Sequence, residues 1–259
     1  MIKLMDLLNE GVDDSGILKA VFLAGGPGSG KSYVASQLFG IPDKINVSYT
    51  GMKTVNSDQE FEHLMRKYGF DTFGTGNFDI DKWPEYVRMI VTGEDSKGNK
   101  LDPSEISVRG KAKGITNRRM KQYIEGRLGM IIDGTGHDYG KIVKEKKKLE
   151  QLGYDCYMVF VNTSLEVAHE RNEKRQRSLS KDLLEKSWKD VQDNMGKFQN
   201  LFGQSEFVLV DNSQILDEKE AQKKFGGLVK KHISKFVKRS VKNKLGKVWI
   251  KTQRMLKKR

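Results

Sequence analysis

The 259 residues carry 37% hydrophobic and 31% charged side chains, the balance of a globular chain with room for one sizeable domain and appendages. No apolar run is long enough to span a bilayer, and the opening MIKLMDLLNEG lacks the basic and long apolar regions of a secretion signal. The single cysteine, Cys156, excludes an intrachain disulfide, and the four histidines show no metal-ligand spacing, so a cytoplasmic protein without a zinc site is predicted.

The net charge of +13 is concentrated at one end. Residues 221–259 hold 15 Lys or Arg and no acid, whereas the remainder of the chain nets −2. The predicted organisation is an N-terminal segment (1–16), a main domain (17–215) and a basic amphipathic tail (216–259).

The first predicted strand is KAVFLAGG (19–26), and it runs directly into GGPGSGKS, Gly25 to Ser32. That octapeptide fits G-x-x-x-x-G-K-[ST] at every fixed position, and the helical KSYVASQLFG follows it. Its glycines let successive backbone N–H groups turn toward phosphate oxygens at a helix N-terminus. Gly25, Gly26, Pro27, Gly28, Ser29, Gly30, Lys31 and Ser32 are therefore the predicted nucleotide cradle, with Lys31 on the β- and γ-phosphates and the Ser32 hydroxyl on Mg²⁺.

The second predicted strand, MKTVNSD (52–58), ends at Asp58, where open α/β sheets place their ligands. A carboxylate there suits a base that takes the proton of an attacking hydroxyl; equally, it suits the N-cap of a helix over 59–68. The interval up to Gly129 is too long for a simple crossover. It predicts an inserted helical lobe at about 68–128, with GEDSKGNKLDP as a mobile loop. The third strand, GMIIDGTG (129–136), sets Asp133 after an apolar run, the form of a carboxylate that holds Mg²⁺.

A helix over 138–153 follows, then the strand YDCYMVFVNT (154–163). TSLEVAHERNEKRQRS begins with Thr163 and Glu166 at capping-box spacing and carries Arg171, Arg175 and Arg177, candidates for a lid that neutralises charge on a transferred group. The helix over 180–202 presents Leu184, Trp188, Val191, Met195, Phe198 and Phe202 at helical spacing, read as core. EFVLVDN (206–212) is the fifth strand. Strands alternating with helices predict an α/β fold with a parallel, doubly wound sheet.

In the tail, Phe225, Val229, Ile233, Phe236 and Val237 share a helical face rimmed by lysines. Such a helix contacts a polyanion (nucleic acid without sequence preference, or lipid), or else packs on its own domain with its lysines solvated.

GGPGSGKS, VNSD, IIDGTG and ERNEKRQR, in this order and spacing over residues 17–213, resemble the zeta-toxin-like and polynucleotide-kinase-like P-loop kinases, including members carried by large tailed bacteriophages. The resemblance implies a P-loop NTPase three-layer sandwich with strand order 2-3-1-4-5 and ATP·Mg²⁺ as donor. It also implies a hydroxyl acceptor, Asp58 as base, Asp133 near the metal, and Arg171, Arg175 and Arg177 as lid residues; the first reading is transfer to a nucleotide or a nucleic-acid 5′ end. Such relatives often carry an arginine three or four residues after the base. Here those positions are Phe61 and Glu62, so either the acceptor differs from that of the named relatives or a basic residue of the inserted lobe (Arg109, Arg118 or Arg119) supplies the contact. Two other readings stand beside this one: a nucleotide-bound accessory protein with slow ATPase, and a toxin-like kinase of UDP-sugars.

Overall fold

A computed structural model of the protein describes residues 12–14, 16–39, 48, 51–70, 83–174, 179–214 and 218–257. Five strands form one parallel sheet: β1 (Lys19–Ala24), β2 (Lys53–Val55), β3 (Met130–Asp133), β4 (Asp155–Asn162) and β5 (Phe207–Asp211), in the order β2-β3-β1-β4-β5. This is the α/β P-loop architecture. Each of the five expected strands is present.

The period of two along β1 assigns its side chains to two cores. Val21 and Leu23 face a layer containing Val34 and Ala35 of α1 (Lys31–Phe39) and Ile233, Phe236 and Val237 of α8 (Glu218–Lys238). Ala20, Phe22 and Ala24 face the other way, against α5 (Tyr139–Gln151) and α7 (Lys181–Phe202). In α7 the predicted stripe holds: Leu184, Val191, Phe198 and Phe202 are buried.

A third, smaller core joins α2 (Ser57–Lys67), α3 (Glu85–Thr92) and α4 (Val108–Glu125) through Phe61, Leu64, Val87, Val91 and Ala112. It stands beside the β2 edge of the sheet. The 93–103 stretch, expected to be a mobile loop, contains a hydrogen-bonded turn: Asp95 accepts from the backbone N–H groups of Lys97 and Asn99 and from the Asn99 side chain, and Glu94 and Lys100 form an antiparallel backbone bridge.

Two local readings differ from the sequence. The cap of α2 is Asn56, whose side chain accepts from Asp58 N at 2.7 Å, so Asp58 lies inside the first turn and is not the cap. The cap of α6 (Leu165–Glu173) is Ser164, accepting from Val167 N; Thr163 instead donates to the Asn212 carbonyl at 3.3 Å. In both cases several capping-type residues stand in a row, and the strand end decides which one is free to turn.

The basic C-terminal region forms α8 and a second helix, α9 (Lys244–Lys257), with Val241 buried between them. Its packing is specific. Lys19, at the start of β1, pairs with Asp155 at 2.8 Å, both fully enclosed, and Asp155 also accepts from the backbone N–H groups of Lys242 and Asn243. Burial pushes the Asp155 carboxyl up, but these hydrogen bonds outweigh it and hold the group below the ordinary carboxylate range. Arg239 adds a bidentate pair with Glu206 at 2.8 and 2.7 Å.

Candidate active site

The P-loop leaves β1 at Ala24 and enters α1 at Lys31, as the motif requires. Gly28 and Gly30 have φ of 72° and 76°, the left-handed region that admits glycine readily. Space also demands glycine there: a Cβ at Gly28 would lie 2.6 Å from the Ala168 carbonyl, and one at Gly30 would lie 2.5 Å from the Asn212 side chain. The loop is thus pressed between α6 and the end of β5. The Lys31 ammonium lies back over the loop, donating to the Gly25 carbonyl at 2.7 Å. The Ser32 side chain is exposed at the start of α1.

Asp133 ends β3, beside β1 in the sheet, and its Oδ2 accepts from the Asn56 side chain at 2.8 Å. Burial pushes its carboxyl up to about 6; Lys31 opposes the shift and the negative charge of Asp58 adds to it. Two carboxylates therefore act on one space beside the P-loop. The oxygens of Asp133 and Ser32 form a hard donor set, which suits Mg²⁺. Among the described residues no cluster of three His, Cys, Asp or Glu forms a separate metal site.

Asp58 faces the inserted helices. The Arg109 guanidinium, in the first turn of α4, sits 3.4 Å from Asp58 Oδ1 and stacks over the Phe61 ring at 5.1 Å. Arg119 pairs with Glu60. Of the three arginines named from sequence, Arg109 is thus the one beside the proposed base.

Arg171 occupies a different place from an open lid. Its guanidinium donates to the carbonyls of Gly28 (3.3 Å), Asn212 (3.0 Å) and Gln214 (3.2 Å) and to Asn212 Oδ1 (3.3 Å), which ties the P-loop to the segment after β5. Desolvation lowers its pKa. Arg175 and Arg177 lie outside the described residues, in a stretch whose flanks are joined by Asn172 bonding both backbone groups of Leu179.

Two residues central to the site carried no sequence motif. Asn212, buried, donates to the Ser29 carbonyl at 2.7 Å while its own groups receive Arg171. Asn194, on the core face of α7, donates to the carbonyls of Gly136 and His137 and fixes the loop after Asp133. The only sequence signal for Asn194 was a polar residue interrupting an apolar stripe, and buried amides of that kind need partners.

A sequence family described as an AAA domain matches residues 21–198, more than two thirds of the chain, from β1 through the P-loop and Asp133 to α7. The chain belongs to this AAA domain family. The matched AAA domain stops before β5, so Asn212 lies beyond it. Solved structures of similar fold include a gluconokinase from Sinorhizobium meliloti 1021, at 17% identity and TM-score 0.37 over 85% of this chain and 98% of that one. The PezAT toxin–antitoxin system of Streptococcus pneumoniae is another, at 14% identity and TM-score 0.47 over 90% and 92%. No curated protein matches the chain. Among the described residues of this AAA domain protein, no helix is long and apolar enough to cross a membrane.

Proposed function

We propose that the protein is an ATP-dependent phosphotransferase that moves the γ-phosphate to a hydroxyl on a nucleotide or a nucleic-acid 5′ end. The observation that carries this reading is Asp133 at the end of β3, acted on by the charges of Lys31 and of Asp58 in the first turn of α2, with Arg109 beside Asp58. A switch or a simple hydrolase needs the cradle and a metal carboxylate. A second carboxylate met by a cation from an inserted lobe is what an acceptor site adds.

In this reading the N–H groups of the Gly25–Ser32 loop hold the β- and γ-phosphates, and Lys31 leaves the Gly25 carbonyl to bind them. Bound through Ser32 and Asp133, Mg²⁺ supplies charge neutralisation on the phosphates. Asp58 accepts the proton of the acceptor hydroxyl and orients its oxygen. Arg109, held over the Phe61 ring, contacts the acceptor in place of the arginine missing from positions 61 and 62. Arg171 keeps the cradle shaped, and the cationic charges of Arg175 and Arg177 belong to the same reading as charge-neutralising residues. The exposed lysines of α8 and α9 support a contact with nucleic acid or another polyanion.

The test is transfer of label from γ-labelled ATP to a panel of 5′-hydroxyl oligonucleotides, nucleosides, nucleoside monophosphates and UDP-sugars. Label on an oligonucleotide or nucleotide is expected; label on UDP-sugar alone moves the reading to a sugar-nucleotide kinase, and slow hydrolysis without transfer to an accessory protein. Asp58→Asn should lower transfer roughly 10²- to 10⁴-fold while nucleotide binding persists. Full activity in that variant removes Asp58 from the role of base.

A further inference from the structure

At the other end of β1 from the P-loop, about 17 Å away along the strand, the molecule holds a cavity of about 510 Å³. It lies between residues 12–17, the C-terminal end of α8, and α9. Buried Val12, Ile17 and Val241, with half-buried Ile250, give it an apolar floor.

Six cations and two acids line it, and the pairing among them is uneven. Lys19 is held by Asp155, Arg239 by Glu206, and Arg254 by Asp13 at 3.0 Å. Asp14 receives the Gly16 N–H at 2.7 Å. Lys238, Lys247 and Lys251 share the same walls, and among the described residues no carboxylate lies within ion-pair distance of them. The three lysines are exposed along one concave, apolar-floored space, so an anion seated there would face all three.

The geometry points to a second phosphate-binding site in this cavity, separate from the P-loop, that takes a nucleotide unit either free or within a strand. Lys238, Lys247 and Lys251 meet the phosphate as point charges. The apolar floor receives the base or sugar face, and the volume falls within the range of small-ligand pockets. This goes beyond a diffuse attraction of the basic C-terminal region, because it assigns the contact to three lysines and leaves others out.

The experiment uses the full chain carrying Lys31→Ala, which disables the P-loop. It is titrated with AMP and with 5′-phosphorylated and unphosphorylated oligothymidylates, followed by fluorescence anisotropy at 50 and 200 mM salt. Binding of at least one probe is expected to survive Lys31→Ala and to weaken tenfold or more when Lys247→Glu and Lys251→Glu are added. Lys247→Met and Lys251→Met, which keep the stems over the apolar floor, should weaken it in the same direction. A probe order with AMP competing against the strand assigns a single nucleotide; strand binding indifferent to AMP, with a steep salt slope, assigns the backbone of a longer polymer. Loss of all binding with Lys31→Ala alone overturns the proposal. So does an equal weakening from Lys223→Glu and Lys231→Glu, exposed lysines of α8 that do not line the cavity.

Discussion

Asp133 is where electrostatics and chemistry meet most directly. Its folded-state pKa of about 6 stands above the ordinary 3.8 because burial and Asp58 both disfavour the anion. A raised pKa contributes stability that is fully present below the unfolded value and lost as pH rises through the folded one. Between pH 4 and 6 the ligand-free protein therefore loses on the order of 3 kcal/mol that the neutral acid would keep. Asp133→Asn is expected to melt several degrees above the parent at pH 8, with the gap closing toward pH 4. The same variant should bind Mg²⁺·ATP poorly at every pH, whereas the parent gains affinity as the pH climbs past 6 and the proton leaves. Identical melting of the two proteins at pH 8 would show that the carboxylate is already compensated without a metal. At this scale the sequence was legible wherever a motif fixes a residue type at a fixed spacing, as at Gly25–Ser32, and Asp133 was readable from the apolar run before it. Asn212 and Asn194 were not, because an amide that braces a loop from 183 residues away leaves no local pattern.

Among the secondary-structure elements, strands were easier to read than helix starts. Runs such as VFLA and YMVFV are buried on both faces and so apolar throughout, which marks them without reference to neighbours. The caps of α2 and α6 fell one or two residues from expectation, since VNSD and NTS offer rows of capping residues and tertiary contacts choose among them. The break between α8 and α9 was invisible for a related reason: lysines and apolar residues continue across it without a proline. The docking of α9 depends on close backbone approach. A Cβ at Gly246 would stand 2.2 Å from the Gly153 carbonyl and 2.8 Å from Val241, so Gly246→Ala must push α9 off the α5–β4 turn. It should cost about 1–3 kcal/mol by thermal or urea melting. The matched control is Gly196→Ala in α7, where a Cβ meets nothing within 4 Å and a gain of about 0.5–1 kcal/mol is expected from helix propensity. Equal effects of the two substitutions would deny α9 a specific seat.

For the whole molecule, the C-terminal helices are part of the sandwich. Ile233, Phe236 and Val237 are buried with Val21, Leu23 and Tyr157, and Asp155 depends on the N–H groups of Lys242 and Asn243. At about 1.5–3 kcal/mol for each buried apolar side chain, those three alone stabilise the fold by on the order of 5–9 kcal/mol. Typical domains have about 5–15 kcal/mol in total. A chain ending at residue 217 is therefore expected to lose its cooperative melting transition and its nucleotide binding, read by circular dichroism and by ATP titration. Retention of both would mean that the sheet closes without α8. The charge count at 221–259 could not reveal this, because the fifteen cations that dominate the sequence surround a face only a few residues wide.

The position of α8 in the chain also fixes when the fold can finish. Residues 218–257 emerge from the ribosome after all five strands, so β3 and β4 are made while the part of one sheet face that α8 covers beside α1 is still bare. Val21, Leu23, Val159 and Val161 then wait for a partner translated after the whole sheet, in reach of any other apolar surface. An early stop, a stalled message or a cut ahead of Glu218 would release a chain with the phosphate motif intact and its apolar face open. For this protein, the packing of residues 218–257 decides whether the apolar side chains of β1 and β4 are covered.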